Sequence, residues 1–347
     1  MTVFTLMTAL PPTKGHIEMV KFASNVARFN SSTVKVIVHT QSGEPYIYER
    51  FNSLHEASLL MENVTVLPFH QDTDENPDSP GFREYWRGVM LDFGFSGGDI
   101  LVTSESYGNW LAEICGGVHM PFDPERSLFD CKATRIREEN GLIKYFDHIL
   151  PEFQHRLKST ITVFGTESVG KTTFSKELAV MAGGHWLYEY ARPYLETVGN
   201  DITVDAMKNI WIGQKAAQES ANQWKDKPFV IQDTDLFSTV GYWGLPHWRE
   251  TLGEVPRELI NDAITLKSDL YIILSSNIPF EEDALRYGGD ARESDDQYWI
   301  DLCERYELDY VVIEESDPIL RIGKGLLLTR GGLQSMQDSI TYDRGGC

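Results

Sequence analysis

The stretch ITVFGTESVGKTTF, residues 161–174, constrains this chain more than any other part of it. An apolar, β-branched run leads into Gly165-Thr166-Glu167-Ser168-Val169-Gly170-Lys171-Thr172, and TTFSKELAVMAGG continues as a helical pattern stopped by glycine. Strand, glycine-bounded turn and helix in that order fit the phosphate-cradling loop G-x-x-x-x-G-K-[ST]. The glycines let backbone N–H groups curl around phosphate oxygens at a helix N-terminus. Lys171 is expected on the β- and γ-phosphates of ATP, the Thr172 hydroxyl on Mg²⁺, and Thr173 beside them. A loop of this kind usually follows the first strand of its own sheet, yet 160 residues precede Ile161. Another domain must stand in front of it.

The rest of the chain agrees. Short β-rich runs at 3–8, 34–40, 64–70 and 99–104 alternate with helical patterns such as HIEMVKFASNVARF. A second series begins at 161–164 and continues at 185–188, 229–232, 270–274 and 310–313. Alternation of this type predicts an α/β fold with two tandem domains, each built on a parallel sheet. The expected domains are residues 1–155 and 156–328, with a loosely ordered tail at 329–347. QDTDENPDSPGF, residues 71–82, reads as a long acidic loop.

Composition narrows the function classes. Hydrophobic residues make up 41% and charged residues 24%, the profile of a soluble globular protein. No apolar run approaches the roughly 20 residues of a membrane span, and the N-terminus lacks a signal-peptide pattern. Four scattered cysteines form neither a zinc pattern nor a disulfide framework, so a cytoplasmic location is expected. The net charge of −21 comes without a basic stripe, which argues against nucleic-acid partners. In so acidic a chain any nucleotide site must concentrate its donors locally. A homo-oligomer is left open.

Ligands of open α/β sheets sit at the carboxyl ends of the strands. YEYAR offers Glu189 to orient or deprotonate a hydroxyl, and Tyr188 or Tyr190 to stack on a flat ring. QDTD places Asp233 like the Mg²⁺-associated carboxylate of phosphate-loop proteins, and Asp235 as a substrate ligand or base. EEDALRYGGDARESDD carries Arg286 and Arg292 in a glycine-containing segment suited to a lid over a transferring phosphoryl group. The blander alternatives are strand-end solvation and a salt-bridged helix.

In the first domain, TALPPTKGHIEMV turns from strand to helix, with Thr13, Gly15 and His16 at the turn. Gly15 allows close backbone approach, and His16 at a helix start can donate to phosphate. Further on, CKATRIREEN offers Thr134 as a helix cap followed by Arg135 and Arg137, a hydroxyl and guanidinium group suited to the far end of a triphosphate. LVTSES adds a strand end rich in hydroxyls.

T-x-G-H after the first strand with T-x-x-R at the last helix resembles the nucleotidyltransferase superfamily. TSES, DPERS, ATRIRE and GTESVGKT, then YEYAR, QDTD and DALR, resemble in their order one family in particular. That is the NadR family of nicotinamide-mononucleotide adenylyltransferase/ribosylnicotinamide kinases, and the resemblance covers residues 3–325. It implies a Rossmann-like nucleotidyltransferase domain followed by a P-loop kinase domain. It further implies phosphorylation of nicotinamide riboside by Mg·ATP, then adenylyl transfer from a second ATP to the mononucleotide, giving NAD and pyrophosphate. His16 and Thr13 would stabilise the bridging phosphates and Arg137 the leaving pyrophosphate. Tyr188, Tyr190, Arg192 and Asp235 would surround the riboside. The chain departs from the family at Lys132-Ala133, where a serine/glycine pair is usual, and at Thr13, which replaces a commoner histidine. It begins directly on the first strand, so the helix-turn-helix of the family's bacterial regulators, and a repressor role, are not expected. Other readings remain open: a kinase with a degenerate first domain, or a nucleotide-regulated ATPase switch.

Overall fold

The computed structural model describes residues 1–73, 76–130, 132–138, 141–278 and 294–341. Among these described residues ten strands form two all-parallel sheets: β1 (Val3–Met7), β2 (Val34–Thr40), β3 (Val64–His70), β4 (Ile100–Thr103) and β5 (Val118–Pro121) in one, and β6 (Ser159–Phe164), β7 (His185–Leu187), β8 (Phe229–Asp233), β9 (Leu270–Leu274) and β10 (Tyr310–Ile313) in the other. The fold is α/β with two tandem domains, as the alternation predicts. Two compact units result, Met1–Arg156 with Gln334–Cys347, and Leu157–Leu333.

In the first unit the strand order is β3-β2-β1-β4-β5. Strands β1 and β4 are buried along their whole length, as helices on both faces of a parallel sheet require. Helix Lys14–Phe29 buries Ile17, Val20, Ala23 and Ala27, one stripe at helical spacing, and leaves its polar face to solvent. A second layer packs Trp86 and Met90 on Phe4, Ile37 and Phe95. The chain reverses its direction across the sheet between β1 and β4, so the loops after these two strands flank a cleft.

The second unit has the order β10-β9-β6-β8-β7. Its β6, the strand entering GTESVGKT, lies centrally between β8 and β9. Its core gathers Phe164, Phe237, Trp243, Tyr271 and Trp299. The loop after β6 therefore projects from the middle of a sheet buried on both sides.

One expectation is corrected. The segment from residue 329 is helical, part of Pro318–Ile340, instead of a loose tail. Leu333 and Ile340 are buried, and Gln337 between them is buried too. Gln337 Nε2 donates to Ile136 O at 2.9 Å, and its Oε1 accepts from Leu142 N–H at 2.9 Å, both within the first unit. The helical stripe was diluted in the sequence because this polar residue fills an interior position. Among the described residues no helix is long and apolar enough to cross a membrane.

Replacing Gln337 by alanine would leave one buried N–H and one buried C=O without these partners. Gln337→Ala should lower stability by about 1–3 kcal/mol, read by denaturant unfolding followed by circular dichroism.

Candidate active sites

In the second unit the loop after β6 has the backbone that phosphate binding needs. Ser168 has φ 60° and Gly170 φ 82°, alternating left-handed positions of the kind that let successive N–H groups converge. Gly165 has φ 135°, and a Cβ there would sit 2.7 Å from Leu274 O, so β9 closes in where only glycine fits. Lys171, at the helix start, donates to Gly165 O and Thr166 O at 2.9 Å. Thr166 is fully buried, with Oγ1 2.6 Å from Glu167 Oε2 and 2.8 Å from Ser294 O. Val169 is buried, whereas Gly170 and Thr173 are exposed.

Asp233, the last residue of β8, faces this loop. Burial raises its carboxyl above the usual range, opposed by a hydrogen bond from the Thr172 hydroxyl and by the charges of Lys171 and Arg192. Its Oδ1 is buried with no hydrogen-bond partner among the described residues, a pair of lone pairs with nowhere to go. Thr172 and Asp233 thus fit Mg²⁺ by donor type and by this orphaned oxygen. Among the described residues no cluster of three metal-ligating His, Cys, Asp or Glu side chains occurs, so phosphate oxygens and water would complete the shell. Arg192, in the first turn of helix Ala191–Val198, is brought to the same group.

Asp235 requires a correction. It is 1% exposed and caps helix Leu236–Trp243, accepting from Phe237 N–H at 2.9 Å and Ser238 N–H at 3.3 Å. Its Oδ2 accepts from the Tyr271 hydroxyl at 2.9 Å. Burial pushes its pKa up to about 7, against these bonds and one from Thr162. This carboxyl group is buried and accepts its bonds from the core around it, which argues for a structural role. Glu189 is half-buried just beyond β7. Tyr190 packs its ring against Gly213, where a Cβ would lie 2.0 Å from it, and stacks near Tyr194. Tyr188 is the exposed ring of the pair. Arg286 and Arg292 lie outside the described residues.

In the first unit a cavity of about 590 Å³ opens at the carboxyl ends of β1 and β4. Thr13, Gly15, His16, Thr134 and Arg137 all line it, so the two sequence motifs come together. Thr13 N–H donates to His16 Nδ1 at 2.9 Å, and Thr13 Oγ1 lies 2.8 Å from the same nitrogen. These contacts make Nδ1 the acceptor and leave the ring proton on Nε2. Burial, then Arg126 and Arg137, pull the His16 pKa down to about 4. At neutral pH the imidazole is therefore an uncharged N–H donor at the cavity wall. Arg137 donates to Leu10 O, tying helix Ala133–Arg137 to the first loop. Thr134 is not the cap expected: helix Ala133–Arg137 starts one residue earlier, with extended Lys132 at the cap. Arg135 is exposed and pairs with Asp130.

Arg126 and three aromatic residues escaped the sequence reading. Arg126 pairs with Glu105 at 2.5 Å, and Lys132 reaches the same carboxylate at 3.4 Å, so DPERS, TSES and the unusual Lys132 meet in one charged patch. At the apolar part of the cavity wall stand Phe82, Trp86 and Trp110. Phe82 lies 6.5 Å from Trp86 and 5.9 Å from Trp110. Phe82 ends the acidic loop at its helix junction, which hid it among polar residues. The cavity thus offers cations to phosphate and flat apolar faces to a ring.

Comparisons with known proteins follow the same two-part design. A family model described as an AAA domain matches residues 160–318. The trifunctional NAD biosynthesis/regulator protein NadR of Salmonella typhimurium is 24% identical over 285 residues, covering 80% of this chain and 67% of that protein. Its Escherichia coli counterpart is 25% identical over the same shares. A crystal structure of a NadR protein in complex with NR matches with TM-score 0.63 and 19% identity, over 96% of both chains. Another, in complex with NAD and AMP-PNP, gives 0.62. The chain is similar to NadR proteins over most of its length and shares their fold. Within the NadR fold its first unit carries the T-x-G-H and T-x-x-R motifs and its second the P-loop.

Two outcomes follow from these environments. The depressed His16 pKa means that the stability this histidine contributes is full above about pH 6.5 and lost as pH falls through about 4. Ring-nitrogen NMR should place its midpoint close to 4, and a midpoint near 6.5 would contradict the buried neutral imidazole. For Asp235→Asn, phosphoryl transfer should stay within a few-fold while stability drops by about 1–3 kcal/mol, because the Tyr271 bond is what changes.

Proposed function

We propose that the chain makes NAD from nicotinamide riboside in two ATP-dependent steps, one in each unit. The observation that carries this reading is the pairing of a complete P-loop site with a cavity that is cationic on one side and aromatic on the other. The NAD biosynthesis role of the named relatives supports it.

In the second unit the riboside 5′-oxygen forms a bond to the γ-phosphorus of ATP as the bond to the β,γ-bridging oxygen breaks. ADP leaves, and the hydroxyl proton passes to Glu189. The loop amides and Lys171 hold the donor phosphates, and Arg192 adds charge beside Asp233. Mg²⁺, held by Thr172 and Asp233, neutralises phosphate charge when bound. Tyr188 offers a face to the nicotinamide ring.

In the first unit a phosphate oxygen of the mononucleotide bonds to the α-phosphorus of a second ATP, and pyrophosphate leaves. His16 Nε2–H, uncharged beforehand, donates to phosphate oxygen as charge develops, with Thr13 fixing its tautomer. Arg137, with Arg126 and Lys132, receives the pyrophosphate. Lys132 supplies charge where the family usually has a hydroxyl. Phe82, Trp86 and Trp110 sandwich or flank the flat ring of a nucleotide. A second reading, kinase activity alone, is favoured by Lys132-Ala133 and by the Glu105 carboxylate that occupies Arg126.

A substrate panel followed by mass spectrometry separates these. Wild type should form mononucleotide from riboside and ATP, and NAD from mononucleotide and ATP. No NAD above background would leave the kinase-only reading. Lys171→Ala should lower riboside phosphorylation by about 10²–10³-fold and spare adenylyl transfer, and His16→Ala should do the reverse. Loss of both reactions in either variant would argue against separate sites.

A further inference from the structure

A buried guanidinium stands behind the phosphate loop. Arg321, in the first turn of helix Pro318–Ile340, is 5% exposed. Its Nη1 donates to Val169 O at 2.8 Å. Nη2 donates to Ser275 O at 2.9 Å and to Asn277 Oδ1 at 3.3 Å, and Nε donates to Glu315 O. These acceptors are neutral, and they come from the loop after β6, the end of β9 and the end of β10. Burial lowers the Arg321 pKa, with Asp296 and Glu315 acting in the opposite direction. A cation buried among neutral dipoles is costly, so close packing alone is a poor reason for an arginine here.

The Val169 peptide supplies a better one. Val169 C=O and Gly170 N–H belong to one planar trans unit and point in opposite directions. Holding the carbonyl toward Arg321 therefore turns the Gly170 N–H away from it, to the side where a phosphate is to be received. Gly170 itself, at φ 82°, opposes no rotation of that peptide with a side chain. A flip would present a carbonyl oxygen to an anionic phosphate where a donor is needed.

We propose that Arg321 is a positioning residue for ATP, locking the Val169–Gly170 peptide with its N–H facing the phosphate site. It touches neither nucleotide nor metal, and it acts through one backbone unit. The inference rests on the P-loop reading of this site but not on the identity of the phosphoryl acceptor.

Carbonyl-¹³C valine with ¹⁵N glycine selects only the Val169–Gly170, Val198–Gly199 and Val240–Gly241 amides of the full chain. In wild type, Mg·AMP-PNP should move the Gly170 proton downfield and leave the Val169 carbonyl shift in place. Calorimetry should show Arg321→Gln binding AMP-PNP about tenfold or more weakly, as loss of one donor to a charged group predicts. Its Gly170 shift should be reduced, and Arg321→Lys should fall between. The Val198–Gly199 and Val240–Gly241 signals should be unchanged in both, a split that general loosening of the unit would not produce. Wild type that binds no AMP-PNP overturns the ATP-site reading and this proposal with it. Folded variants with wild-type AMP-PNP affinity overturn the positioning role alone. If neither variant folds, the wild-type spectra decide: a Gly170 proton that ignores AMP-PNP, or a Val169 carbonyl that moves with it, overturns the lock.

Discussion

A backbone amide can be aimed at a phosphate only if the carbonyl of the same peptide is satisfied on the other side. Both units meet this constraint with buried or half-buried cations behind their first loops. Arg321 donates to Val169 O in the second unit, while Lys171 donates to Gly165 O and Thr166 O. In the first unit Arg50, fully buried and paired with Glu44 at 2.5 Å, reaches Thr8 O at 3.3 Å, while Arg137 donates to Leu10 O and fixes a peptide that, ending in Pro11, has no N–H to aim. The loops are irregular and glycine- or proline-containing, so neither a helix nor a strand ladder can hold them. Side-chain donors from later in the chain hold them instead, which ties local loop shape to the completed fold.

The same logic explains how so acidic a chain offers a cationic cavity. The net charge of −21 disfavours any approaching anion, so charge must be local and sheltered. Burial, then the charges of Arg126 and Arg137, depress the His16 pKa, and Lys132 lines the same cavity. A neutral Nε2–H keeps directionality, while the guanidinium and ammonium groups supply field. Glu105 offsets part of that field by holding Arg126 and Lys132. Carboxylate and phosphate are both anions that guanidinium binds well, so any anion entering this cavity competes with Glu105 for Arg126.

Much of this was legible beforehand because parallel strands are buried on both faces and read as apolar runs. VKVIVHT and LYIIL announce β2 and β9 without ambiguity. VHMP does not announce β5, a short edge strand with half its residues exposed, whose identity comes from pairing with β4. Residues next to a motif are easy to single out, and the structure brings Thr13 and His16 to the first unit's cavity and Lys171, Thr172 and Asp233 to the loop after β6. Residues that reach a site through tertiary packing were not: Arg126, Trp110 and Arg321 sit far along the chain from the loops they serve. Gln337 misled for a related reason, since a polar side chain at an interior helix position erases the apolar stripe that would have marked it.

QDTD shows how far two positions can differ within one strand end. Side chains alternate along β8, and the chain turns at Thr234, which has φ 64°. Asp233 is thereby left on the loop side with one oxygen unpartnered, and Asp235 is carried into the start of the next helix. There it accepts two backbone N–H groups and the Tyr271 hydroxyl, which exhausts the oxygens a substrate would need. Both carboxylates are buried and both have raised pKa values, yet only one has bonding capacity left. Burial and a perturbed pKa therefore do not separate a ligand-binding aspartate from a capping one. What distinguishes the two is the unspent lone pair on Asp233.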